Sequence, residues 1–462
     1  MKEYDLIVIG AGPGGYEAAI KASSKYGMKT ALIEKNQLGG TCLNRGCIPT
    51  KTMLHTVELY DAVKRHGASI GLTGVETYGC DLKVIQMRKN EVLNNLRSGI
   101  AAMMKKDHID IYDGFGEIVS PCSVRVKSDS KTIELKTRYI MIATGSHPSI
   151  PTIMGCDLPG VITSDELLSL DRVPSKLIII GGGVIGIEFA SIFSSLGSDV
   201  TVIEAMPRII PNMDKEISQK LKVQLKRTKG VNIHTSASVN SIKLINNGLL
   251  SCSYTENGHE LTDQGELVLV SVGRKAFTEG LIADDAVDSV RSINMEKGAI
   301  SVNDKFETNI SGIYAIGDVI GGIQLAHAAT AEGYQAIDFM NGNEPSVDLG
   351  TIPSCIYTNP EIASVGISPE YAKEHNIDII TKKYPMGANG KSVLTFQDNG
   401  FVKIIVDSKT QRVLGASMMC ARATDMITHF SLAVLNNLTL HDIGKVIYPH
   451  PTFCEGIGEA AR

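Results

Sequence analysis

Two copies of Gly-x-Gly-x-x-Gly, each set between a short apolar strand and a helix, constrain this 462-residue chain more than any other feature. Gly10, Gly12 and Gly15 follow the run Leu6-Ile7-Val8-Ile9, and Gly181, Gly183 and Gly186 follow Leu177-Ile178-Ile179-Ile180. Helices are expected over 16–25 and 187–196, and a second apolar strand closes each unit at 30–34 and 200–204. Strand, helix and strand joined by short turns is the building unit of a parallel sheet. The glycines admit a tight turn and let a pyrophosphate approach the helix N-terminus, where free N–H groups and the helix dipole favour anions. Glu34, nineteen residues past Gly15, and Glu204, eighteen past Gly186, end the second strands. A carboxylate there can accept hydrogen bonds from a ribose diol. At Glu204 it would also repel a 2′-phosphate, so NAD is expected rather than NADP; no arginine stands beside it, and Arg208 is four residues on.

The expected fold is therefore α/β, with two Rossmann-like dinucleotide-binding domains. Between the glycine turns, 109–118, 123–126 and 132–135 read as short strands of an antiparallel layer, and 139–145 as another strand ending in Thr144-Gly145. The segments 266–273 and 312–318 repeat the apolar-run-to-glycine theme. After 345 the pattern changes to strands near 401–407 and 413–419 and a helical stretch over 423–435, which suggests a C-terminal α+β domain. The expected domain limits are 1–147 with 276–345 for a split first dinucleotide-binding and central domain, 148–275 for the second dinucleotide-binding domain, and 346–462 for the C-terminal domain.

Charge narrows the partners. The 45 basic and 50 acidic residues are mixed along the chain, with no basic stripe for nucleic acid and no polybasic cluster for a membrane surface. Apolar runs fall far short of the ~18 residues that span a bilayer. Lys2 and Glu3 lead directly into the first strand, unlike a signal peptide, so a cytoplasmic chain, or a mature form already trimmed, is expected. In such a compartment nine cysteines argue against a disulfide framework, and a purposeful spacing points to catalysis.

Cys42 and Cys47 have that spacing, within Gly39-Gly40-Thr41-Cys42-Leu43-Asn44-Arg45-Gly46-Cys47-Ile48-Pro49-Thr50-Lys51. An undistorted helix holds α-carbons five apart too far from one another for a relaxed disulfide, so a bend is expected here. The segment begins five residues beyond Glu34, near the first nucleotide. Cysteines 80, 122, 156, 252, 355 and 420 have no paired spacing and read as small hydrophobes. No metal site is expected.

With that segment, both fingerprints, Ala143-Thr144-Gly145, Tyr314-Ala315-Ile316-Gly317-Asp318 and His450-Pro451-Thr452, the chain resembles the disulfide oxidoreductases among the pyridine-nucleotide flavoproteins. Within that branch it is most similar to the dihydrolipoamide dehydrogenases, over essentially its full length. The resemblance implies FAD at the first fingerprint and a redox disulfide between Cys42 and Cys47. It implies that Asp318 holds the ribityl chain, that Leu325-Ala326-His327 lie beside the flavin ring, and that Gly114 lies beside FAD. Val239 and Gly273 fall on the NAD side, and Lys51 is implied to pair with Glu188 beside the flavin. His450, held by Glu455, is implied to be a base serving the other subunit of a homodimer with shared sites. The implied reaction oxidises dihydrolipoamide and reduces NAD⁺, with the lipoyl group arriving on another protein, an acyltransferase subunit or a glycine-cleavage carrier. Two residues depart from the family pattern: Cys454 where serine is usual, and Arg45 where valine is common.

Overall fold

A strand apolar on both faces is stable only inside a layered structure, and β1 (Glu3–Ile9) has Leu6, Ile7 and Val8 all at 0% exposure. The computed structural model describes residues 2–245 and 248–462, with Glu76 described by its backbone only. The chain forms two units. One comprises Met1–Thr52, Met87–Ser149 and Gly273–Leu349, and the other Met53–Gln86, Ile150–Val272 and Gly350–Arg462.

In the first unit, β1 leads through α1 (Pro13–Tyr26) to β2 (Thr30–Glu34), then to α2 (Gly40–Arg45) and the start of α3 (Cys47–His66). β3 (Asp110–Asp113), β4 (Phe115–Ser120), β5 (Ser123–Lys127) and β6 (Thr132–Ile142) complete a sheet of order β3-β2-β1-β6-β5-β4, with Ile313–Ala315 beside β6. Strand alternation sorts its core. Leu6, Val8, Leu32 and Met141 join a cluster with Ala18, Ala19 and Ala22 of α1. Ile7, Ile9, Ile33 and Ile140 join another with Ile118, Val124 and Leu135. Each buried Leu, Ile, Val or Met side chain among these contributes roughly 1.5–3 kcal/mol. Small residues let α1 approach the helix Ala326–Met340, where a Cβ on Gly14 would sit 2.9 Å from the Ala329 carbonyl oxygen.

The strand expected over 109–118 is two, β3 and β4 on either side of Gly114, and β3 pairs parallel with β2 instead of joining an antiparallel layer. The strands expected at 132–135 and 139–145 are the single strand β6. Its first residues pair antiparallel with β5, and from Lys136 it runs parallel to β1. The polar Lys136, Thr137 and Arg138 that read as a break are ordinary alternation: Thr137 is buried between two exposed cations, and its hydroxyl donates to the Tyr139 carbonyl at 2.8 Å.

In the second unit, β7 (Lys176–Ile180), α4 (Val184–Ser195), β8 (Asp199–Glu204), α5 (Lys215–Lys229) and β9 (Asn232–Thr235) repeat the parallel winding. β10 (Ala237–Leu244), β11 (Leu250–Glu256) and β12 (His259–Gly265) form a separate antiparallel sheet before β13 (Leu267–Val270) returns beside β7. That sheet is silent in the sequence because β12 is polar and exposed over most of its length.

The C-terminal part of this unit is a five-stranded antiparallel sheet of β14 (Ser354–Ile356), β15 (Glu361–Gly366), β16 (Ile379–Pro385), β17 (Phe401–Asp407) and β18 (Val413–Cys420), in the order β14-β15-β18-β17-β16. The expected helix over 423–435 is divided into Ala423–Met426 and α6 (Thr428–Leu435). α6 and α7 (Glu455–Ala461) bury Phe430, Ala433, Ile457 and Ala460 against Val402, Ile404 and Met418. Among the described residues no helix is long and apolar enough to cross a membrane.

Candidate active site

The two glycine turns have the same geometry. Gly10 and Gly181 are left-handed (φ +105° and +109°), and a Cβ on Gly15 or Gly186 would lie about 2 Å from the carbonyl oxygen of Gly10 or Gly181. Glycine at these four positions therefore lets each helix close onto its turn. Gly12 and Gly183 differ: a Cβ there would meet nothing within 4 Å, so each helix N-terminus opens onto free space. The acidic residues complete the pattern. Glu34 accepts the Ala11 N–H at 2.9 Å and the Asn36 N–H at 2.8 Å, and buried Glu204 accepts those of Gly182 at 2.5 Å and Met206 at 2.6 Å. Open amides at a helix start with a fixed carboxylate alongside fit a dinucleotide, twice. Arg208, the cation closest in sequence to Glu204, donates to the Pro211 carbonyl at 2.6 Å and lies 4.0 Å from Glu370. Val239 lies on β10, packed against the apolar cluster of Ile178, Ile180 and Ile203.

The segment carrying Cys42 and Cys47 leaves the first turn directly. Gly39 N–H bonds to the Ala11 carbonyl at 2.8 Å, and a Cβ on Gly40 would lie 2.6 Å from the α-carbon of Gly12. The expected bend is a helix break: α2 ends at Arg45, Gly46 is non-helical (φ −143°, ψ −107°), and α3 starts at Cys47. Across that break Cys42 and Cys47 are hydrogen-bonded thiols, both half-buried. The bond to Cys47, and then burial, hold the Cys42 thiol far above the ordinary cysteine range, while the Lys51 cation pulls the other way. Tyr16, on the first turn of α1, is also near this thiol. Burial pushes its phenol up to about 12, with smaller contributions from Glu17 and Cys42. Arg45 is exposed.

Asp318 follows left-handed Gly317. Its carboxylate accepts the Ser146 hydroxyl at 2.5 Å, and Arg274 Nε donates to that hydroxyl oxygen at 2.8 Å. Thr144 donates to the Phe277 carbonyl at 2.6 Å, and Phe277 N–H returns to the Gly145 carbonyl at 2.9 Å, which ties 144–146 to the strand after Gly273. Gly114 separates β3 from β4 and donates to the Glu34 carbonyl at 2.9 Å. Leu325 caps the N-terminus of the helix carrying Ala326 and His327.

In the second unit Glu188 is buried on α4 and accepts the Tyr357 N–H at 3.1 Å. His450 Nδ1 donates to Glu455 Oε1 at 2.7 Å, and Thr452 N–H donates to Oε2 at 2.8 Å. With a carboxylate on Nδ1, the neutral ring keeps its lone pair on Nε2. The Thr452 amide and then His450 hold Glu455 below the usual carboxylate range. The His450 side chain is 77% exposed in the single chain. Cys454, immediately before α7, has its thiol raised by burial.

Ser146, Arg274 and Glu332, whose carboxylate accepts the Gly317 N–H, carry no sequence signal beyond following or facing a glycine. An acid within a helix reads as a solvated face. Among the described residues, no three His, Cys, Asp or Glu side chains gather as a metal site.

The pyridine nucleotide-disulphide oxidoreductase family model matches residues 4–333, and the dimerisation domain of that family matches 352–461. The dihydrolipoyl dehydrogenase of Bacillus subtilis (strain 168) is 41% identical over 472 residues, covering 99% of this chain and 97% of that protein. That of Trypanosoma brucei brucei is 37% identical, covering 99% and 95%. Among solved structures, the HOCl-induced flavoprotein disulfide reductase RclA of Escherichia coli, as a Cu(II) complex, superposes with a TM-score of 0.87 at 30% identity, covering 100% of this chain and 99% of that one. With the thiol pair, the two nucleotide turns and this full-length similarity in place, the chain belongs to the pyridine nucleotide-disulphide oxidoreductases.

Proposed function

We propose that the chain oxidises protein-bound dihydrolipoamide to lipoamide and reduces NAD⁺ to NADH, as a homodimer with shared active sites. The observation that carries this reading is the pair of touching thiols across Gly46, set against the first nucleotide turn in a chain 41% identical to a dihydrolipoyl dehydrogenase. FAD and NAD(H) are the cofactors of this family. Gly10, Gly12, Gly15, Glu34, Lys51, Gly114, Thr144, Gly145, Asp318, Leu325, Ala326 and His327 are assigned to FAD, with Glu188 as the partner of Lys51 beside the flavin. Gly181, Gly183, Gly186, Glu204, Val239 and Gly273 are assigned to NAD.

In the oxidised enzyme Cys42 and Cys47 form the disulfide. His450 of the partner subunit, oriented by Glu455, takes a proton from one substrate thiol. The resulting thiolate attacks Cys42 Sγ, the Cys42–Cys47 bond breaks, and Cys47 leaves as a thiolate. The second substrate thiol attacks the sulfur bonded to Cys42 and closes the lipoamide ring, and its proton passes to the departing Cys42 sulfur. Lys51 stabilises the anionic sulfurs, and Glu188 holds the backbone at Tyr357. FAD, when bound, carries the two electrons from the cysteine pair to NAD⁺. The lipoyl group arrives on a carrier, an acyltransferase subunit or a glycine-cleavage protein, and the setting is cytoplasmic.

The deciding assay compares steady-state turnover with dihydrolipoamide and NAD⁺ against glutathione disulfide and NADPH. Dihydrolipoamide with NAD⁺ is expected to win by orders of magnitude. Preference for the second pair rejects the reading.

A further inference from the structure

The mechanism above has no use for Glu332, yet this carboxylic acid is buried beside the turn that carries Asp318. It stands on the helix Ala326–Met340 at 8% exposure, and its Oε2 accepts the Gly317 N–H at 2.6 Å. Asp318 is thus fixed from two directions. Ser146, itself held by Arg274, donates to its carboxylate, and Glu332 accepts the Gly317 N–H just before it.

The charge acting on Glu332 is the anion of Asp318. From α1, packed on the same helix, Glu17 accepts the Tyr334 hydroxyl at 2.8 Å, and Lys21 donates to Asp338 at 2.6 Å. On its own helix, Asp338 is fully buried among its partners, and His327 is exposed on the first turn. Burial, opposed by the Gly317 amide and helped by the Asp318 charge, pushes Glu332 up to about 7.

We propose that Glu332 is a positioning residue whose protonation couples retention of the flavin nucleotide to pH. This rests on the reading of Asp318 as a flavin contact. A nucleotide seated at Asp318 removes water and brings its own negative pyrophosphate, and both raise the cost of a second carboxylate. By linkage, FAD then prefers the protonated form of Glu332, and its hold weakens as pH rises through 7.

The test is FAD release from oxidised holoenzyme, followed by flavin fluorescence after dilution at pH 6 and pH 8. Wild type is expected to release FAD at least threefold faster at pH 8. Glu332→Gln keeps an oxygen for the Gly317 N–H but has no charge to gain, so its two rates should agree within twofold. Equal rates in wild type, or the same pH dependence in the variant, overturn the proposal. If Glu332→Gln does not fold, calorimetry of FAD rebinding to stripped wild-type protein at pH 7, in buffers of different ionisation enthalpy, decides: proton uptake is expected, and none overturns it. Neither readout involves lipoamide or NAD. A holoenzyme with this pH dependence but no dihydrolipoamide turnover would reject the proposed reaction and leave the role of Glu332 standing.

Discussion

Single side chains carry the choice of nucleotide and the chemistry of the thiols. Both oxygens of Glu204 are taken by backbone amides of its own turn, and with the second turn assigned to NAD as proposed, this fixed carboxylate would repel a 2′-phosphate. Arg208, which could have welcomed that phosphate, is engaged by Pro211 and Glu370. NAD(H) should therefore exceed NADP(H) in kcat/KM by more than tenfold, over ~1.4 kcal/mol. Glu204→Ala should reduce NAD use while leaving bound FAD stoichiometric, as read by steady-state kinetics and the flavin absorbance ratio. Comparable rates with both nucleotides in wild type would remove the assigned role of Glu204. Cys454 is the opposite case. Its thiol is raised by burial and packs among apolar neighbours, so it stays protonated and inert at neutral pH. Cys454→Ser should keep at least half of wild-type lipoamide turnover, and near-total loss would mean a second redox centre.

At the scale of elements, the strand–turn–helix units separate folding from binding. Gly15 closes α1 onto Gly10, whereas Gly12 faces open space. Gly15→Ala should destabilise the protein by about 1–3 kcal/mol through overpacking. Gly12→Ala should leave apo-protein melting within about 1 °C of wild type, because nothing is displaced. It should nevertheless weaken FAD binding at least tenfold, read by flavin fluorescence. Unaltered FAD affinity in Gly12→Ala would place the pyrophosphate elsewhere. These units were legible in the sequence because their signals are local: an apolar run, three glycines and an acid at fixed spacing. The Gly46 break was legible only as a required bend. What escaped depends on contacts distant in sequence. β12 is polar and gains its place by pairing with β11, and β6 changes partners at Lys136, midway along an unbroken strand. The Arg274–Ser146–Asp318 chain joins residues 128 and 172 positions apart, so no window of sequence contains it.

At the scale of the whole molecule, His450, the proposed base, and the two thiols belong to different units of the chain, and the dimerisation domain carries His450. His450 is 77% exposed in a single chain although Glu455 fixes its ring, an arrangement suited to serving a site on another chain. His450→Ala should retain FAD, since no nucleotide contact is touched, yet lose about 10²–10⁴-fold in turnover, the usual worth of general acid–base catalysis. Cys42→Ser should be comparably inactive for a different reason, the missing disulfide. In a heterodimer of these two variants, a shared-site arrangement puts both lesions in one site and leaves the other intact. Mixing and re-pairing two inactive proteins should then restore up to half of wild-type activity per heterodimer. If each site lay within one chain, every site would keep one lesion and no activity would return. Native mass spectrometry establishes that heterodimers have formed; once they have, absence of recovered turnover rejects the shared site.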